Sequence, residues 1–186
     1  MRQFVSATLL AAAVAFGFSA DASAMNIRWT GAVYHVEACP GPSAAGQARC
    51  HAHAVSDSRG NHITRNVTRN STPSGYGPTA LRSAYNVTGA GSSNTIVAIV
   101  DAYGYTNAEA DLATYRSTYG LPACTTANGC FSKVNENGTK TSYPAQDTGW
   151  AQETALDLDM VSAMCPNCKI LLVGPPPPTT ATWPPR

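Results

Sequence analysis

Thr95-Ile96-Val97-Ala98-Ile99-Val100 is an unbroken apolar, largely β-branched run bounded by turn residues, with Gly89-Ala90-Gly91 before it. Strict alternation would mark a strand with one wet face. Continuity marks a strand buried on both faces, as in a parallel sheet. Lys169-Ile170-Leu171-Leu172-Val173 repeats the pattern. Between the two runs, Thr106 and Glu109 stand at capping-box spacing and open a helix through about Thr118, which Gly120 and Pro122 stop. Cys124 to Cys130 encloses a loop, and Phe131 to Tyr143 is expected to form a hairpin around Asn137-Gly138. A further helix runs from Asp147 or Thr148 to near Ala163, and Pro78 to Tyr85 makes a short one upstream. Strand, helix, excursion, helix, strand predicts an α/β fold with parallel strands.

The flanks read differently. Met1-Arg2-Gln3, an apolar stretch from Phe4 to Phe18 and Ala22-Ser23-Ala24 describe a secretory signal peptide over residues 1–24, with an apolar core too short to span a membrane. Residues 25–73 have no sustained period and are expected to be a disordered N-terminal extension and linker, with a short strand within Arg49 to Val55. Residues 74–173 form the domain. The Pro-rich segment 174–186 cannot continue a helix or a central strand and is expected to be a disordered tail.

Charged residues make up only 12% of the chain, the formal net charge is +1, and no Lys/Arg cluster occurs. Nucleic acid and anionic membrane surfaces are therefore poor partners, and a secreted or periplasmic monomer is expected. Six cysteines in an exported chain favour disulfides. They fall into sequence-local pairs, predicting Cys39–Cys50, Cys124–Cys130 and Cys165–Cys168. Each closes a short loop and is worth about 2 kcal/mol.

The residues with the strongest claim to chemistry are Glu153 and Asp157. Four apart in a predicted helix, they project from one face, one turn from each other. Trp150, Ala151, Ala155, Leu156, Leu158, Met160 and Val161 surround them. Burial among such neighbours would make two close carboxyls share a proton and raise one pKa, the arrangement of a general base backed by a second carboxyl. Spacing alone also fits a solvated acidic stripe to which Asp159 adds.

Glu153-x-x-Leu156-Asp157, then Cys165-x-x-Cys168 and the Lys169–Val173 run, resembles the sedolisin family of secreted serine-carboxyl peptidases. So do the strand leading into Asp101-Ala102-Tyr103-Gly104-Tyr105 and the lead-in Leu81-Arg82-x-x-Tyr85-Asn86. The likeness covers roughly residues 74–173. It implies an incomplete subtilisin-like parallel-sheet sandwich with flanking helices, and peptide-bond hydrolysis at acid pH through a Ser-Glu-Asp triad. Glu153 then resembles the general base, and Asp157 the carboxyl that orients it and shares its proton.

The family's nucleophile lies in a Gly-Thr-Ser segment, and none occurs here. Its oxyanion Asp and its calcium site belong to a later part of the domain, so no cofactor is expected in this chain. The tail reads as a truncated or frame-shifted end. The expectation is an N-terminal peptidase fragment, inactive alone and taking a polypeptide substrate only if completed. The alternative is an exported, disulfide-bridged, non-enzymatic binding module.

Other motifs weigh less. Asp101 would suit a true subtilisin, but all four histidines lie upstream of it, which leaves it as a strand-end or turn residue. Cys165-Pro166-Asn167-Cys168 follows a helix and precedes a strand, the reverse of a thiol-redox motif. Cys50-His51-Ala52-His53 with Cys39 could bind a metal ion, but an extended segment beside a disulfide is the favoured reading, so no metal site is expected.

Overall fold

A computed structural model describes residues 26–41, 48–63 and 75–175. The expected signal peptide and most of the Pro-rich tail lie outside the described residues.

Six strands and three helices follow one another along the described chain. β1 (Arg28–Trp29), β2 (Tyr34–Glu37) and β3 (His53–Ser56) form an antiparallel sheet. α1 (Pro78–Ala84), β4 (Ile96–Val100), α2 (Ala108–Thr118), β5 (Phe131–Asn135), α3 (Thr148–Met164) and β6 (Lys169–Gly174) make an α/β unit. Its sheet is parallel, in the order β4-β6-β5, with Ile99 opposite Leu172 and Phe131 opposite Ile170. The last run of the domain is therefore its central strand, so Lys169–Val173 is no exposed edge. The edges are β4 and β5.

Ile99, Ile170, Leu172 and Phe131 bury one face of this sheet with Leu112 of α2 and Leu158 of α3. At β4 the other face is open: Ile96 is 62% and Val100 59% exposed. The expectation that β4 is buried on both faces fails for this reason. A continuous apolar run reports the chemistry of both faces but not whether something covers each.

The helix ends show local chemistry deciding geometry. Asp147 caps α3 by accepting the Trp150 amide at 2.9 Å. Past α2, Gly120 adopts φ +64° while the Leu121 amide returns to Arg116 O at 2.8 Å, the left-handed closure that glycine favours. The predicted Thr106/Glu109 capping box does not form. Asn107 is the N-cap, without a side-chain bond, and Glu109 instead accepts from the Thr126 amide at 2.8 Å and its hydroxyl. The Asn137-Gly138 turn does form, with Gly138 at φ +75°. No return strand follows it, because β5 pairs with β6 and the chain proceeds directly to α3.

The described part of the expected disordered extension is also folded. Its strands have two to four residues each, too short for a period to show in sequence. All three local disulfides are present, with Cα separations of 5.8, 4.8 and 5.4 Å for Cys39–Cys50, Cys124–Cys130 and Cys165–Cys168. Cys39 is thereby removed as a metal ligand. Among the described residues no helix is long and apolar enough to cross a membrane.

Candidate functional site

The parallel sheet ends its strands at one edge, and the carboxyl groups collect there. β4 delivers Asp101, whose amide donates to Val173 O at 3.2 Å and so continues the pairing with β6 by one residue. α3 crosses behind this edge and presents Glu153, Thr154 and Asp157 towards it. Thr154 is 3% exposed and Asp101 7%. Asp101 Oδ2 is buried without a hydrogen-bond partner among the described residues.

Burial is the main cause that lifts the Asp101 carboxyl to about 6. The Asp157 charge adds to the rise and Glu153 adds less, while the Thr154 hydroxyl pulls the other way. Asp157, partly buried, is raised in turn, first by desolvation and then by Glu153. The Glu153 charge thus bears on Asp157, one turn further along α3, but the buried member of the cluster is Asp101. Sequence reasoning set it aside as a strand-end residue, and it does end the strand. The missed signal was the strand itself, since a side chain just past the carboxyl end of a buried parallel strand enters the region where such folds place their sites.

Glu153 has a further relationship that spacing did not suggest. Its Oε2 accepts the backbone amides of His51, at 2.8 Å, and of Ala52. Ala38 N donates to Ala52 O at 2.8 Å, so both ends of the Cys39–Cys50 loop sit on α3. Gly149 makes room for this: a Cβ there would stand 2.5 Å from Ala38 O and 2.7 Å from Cys39 Sγ. The antiparallel sheet is therefore docked on the first turns of the helix that carries the acidic pair, with Glu153 as its anchor point.

The surrounding loop is constrained. Tyr103, two residues past Asp101, holds a left-handed φ of +65°, with its ring 6.3 Å from that of Trp150. Asp159, two residues past Asp157 and so on the other side of α3, does not join the cluster. Its carboxyl is lifted to about 7 by burial and then by Asp111 on α2, and Tyr105 donates its hydroxyl to Asp111. The alternative of one acidic stripe that includes Asp159 does not describe the helix, whose carboxyls face different neighbours. Cys165 closes α3 and Cys168 is 1% exposed, so the Cys-x-x-Cys pair sits between helix and strand.

The arrangement defines an α/β protein with a coupled carboxyl cluster at the carboxyl edge of a parallel sheet. No protein-family model matches the sequence, and no curated protein matches it either. Among solved structures the chain is similar to Pseudomonas sedolisin, a serine-carboxyl proteinase, complexed with two molecules of pseudo-iodotyrostatin. The identity is 22% and the TM-score 0.43, over 55% of this chain and 27% of that one. The chain thus spans about a quarter of that proteinase's length.

Proposed function

We propose that the Asp101/Glu153/Asp157 cluster is the proton-handling part of an acid-acting serine-carboxyl endopeptidase site in an exported protein. Glu153 is the general base that takes the proton from a serine hydroxyl as that oxygen attacks a peptide carbonyl of a polypeptide substrate. Asp157 orients Glu153 and shares its proton, and Asp101 is a third carboxyl that holds Asp157 in a partly protonated network. The observation that carries this reading is the burial of Asp101 against two further carboxyls, which stores a proton in the acid range. The sequence resemblance to the sedolisin family supports the assignment of base and orienter, together with a subtilisin-like architecture. No serine is assigned as nucleophile, so the chain alone is expected to be inactive.

Hydrolysis of a fluorogenic peptide between pH 3 and 7, with Glu153→Ala as control, tests the inactivity. Turnover abolished by the substitution would overturn it. NMR titration of the carboxyl carbons tests the cluster. An Asp101 that titrates as an ordinary aspartate would remove the basis for a shared proton.

A second reading has its own observation. The two amides on Glu153 Oε2 suit a purely structural anchor in a disulfide-bridged binding module. In that case Glu153→Gln, which keeps the acceptor oxygen, would leave the fold and its stability intact, apart from the lowering of the Asp157 pKa that loss of the neighbouring charge brings under either reading.

A further inference from the structure

Arg116 is buried, 1% exposed, without a carboxylate beside it. The ion pairs among the described residues are Arg28–Glu37 and Arg49–Glu37, both in the antiparallel sheet. The Arg116 partners are neutral: Nε donates to Pro122 O at 2.5 Å, one Nη to Ser162 Oγ at 3.1 Å and the other to Pro166 O at 2.5 Å. Those bonds staple the segment after α2 to the segment after α3, and the carbonyl dipoles offset part of the charge. They use three of the five N–H donors of a guanidinium. An unpaired ion taken out of water still costs several kcal/mol, which a structural staple alone does not require.

The same side chain lines a cleft of ≈ 500 Å³, of a size that suits a small molecule. Lys169 lines it too, exposed at the start of β6, where it pairs with Ile96 at the start of β4. The cleft therefore opens at the amino edge of the parallel sheet, away from Asp101. Ser92, Ser93, Asn128 and Asn167 add hydroxyl and amide groups, and no Asp or Glu lines it. Its walls combine two cations with neutral donors and no compensating anion.

We infer that this cleft binds a small ligand through an oxyanion, a phosphate or carboxylate group, held directly by Lys169 and the serine hydroxyls above the buried Arg116 charge. The ligand supplies the negative charge that the fold withholds from Arg116. This site is independent of the carboxyl cluster.

NMR-monitored titration of the full chain with sodium phosphate, and separately with sodium acetate, at fixed pH and ionic strength tests it. Saturable shifts at the Ser93, Asn128 and Lys169 amides are expected, with a Kd of about 1 mM or tighter for the preferred anion. The better-bound anion identifies the group the ligand carries. Lys169→Gln keeps the fold, because that side chain is exposed, and is expected to weaken binding about tenfold. Absence of saturable shifts with both anions would overturn the inference. So would equal shifts with sodium chloride, or binding unchanged in Lys169→Gln.

Discussion

The His51 amide donates to Glu153 Oε2 at 2.8 Å across 102 positions of sequence, and the Ala52 amide donates to the same oxygen. One carboxylate oxygen thus fastens the antiparallel sheet to α3. Removing it leaves two amides without their acceptor in a partly buried seam, so Glu153→Ala is expected to cost about 1–3 kcal/mol of stability. Amide exchange at His51 and Ala52 should accelerate more than at β4 or β6. Glu153→Gln should keep most of the protection. Equal exchange in wild type and Glu153→Ala would show that the seam is held by other contacts.

The Asp101 carboxyl sits at about 6, above its ordinary value of 3.8. A raised acid binds its proton more tightly in the folded chain than in the unfolded one, so its favourable contribution is complete below the unfolded value. It is lost as pH climbs through about 6, at a cost of up to about 3 kcal/mol. Chemical denaturation at intervals from pH 3.5 to 7.5 should therefore show stability falling towards neutrality. Asp101→Asn should flatten that slope and stabilise the fold at pH 7, since its amide would donate to the neighbouring carboxyls. A wild-type slope retained in Asp101→Asn would assign the effect elsewhere.

These two relationships show what the sequence made legible. Thr95–Val100 and Lys169–Val173 announced a parallel pair because apolar continuity is a local property, and Gly120 and Pro122 marked the end of α2. The strand order, with β6 between β4 and β5, depends on which edges meet after collapse. Glu109 stands at capping-box spacing, yet Thr126 competes for it from another loop. The acidic pair was visible as a helical spacing. Asp101, some fifty residues away, joins it only because β4 and α3 share a sheet edge. The amides on Glu153 belong to a segment whose strands are too short to announce themselves.

Asp159 offers a second pH-dependent element in another place. Burial and then Asp111 lift its carboxyl to about 7, and Tyr105 bonds the same Asp111. By the same sign, the α2–α3 joint should weaken as pH rises through about 7. Asp159→Asn, or Asp111→Asn with smaller effect, should raise the midpoint of thermal unfolding at pH 8 and change it little at pH 3.5, below the ordinary aspartate value. A gain of equal size at both pH values would point to packing rather than charge.

Gly149→Ala separates helix propensity from docking. In an isolated helix the change favours folding by up to ~1 kcal/mol. Here the new methyl would meet Ala38 O at 2.5 Å and Cys39 Sγ at 2.7 Å. One obstacle is backbone and the other a disulfide sulfur, so neither turns aside as a flexible side-chain tip would. The expected outcome is a net loss of about 1–3 kcal/mol, with the antiparallel sheet lifted from α3 and exchange at His51 and Ala52 accelerated as in Glu153→Ala. Because both substitutions break one seam, combining them should cost less than the sum of the two. Full additivity would mean that Gly149 and Glu153 serve separate contacts, and that the sheet is not clamped at a single place on the helix.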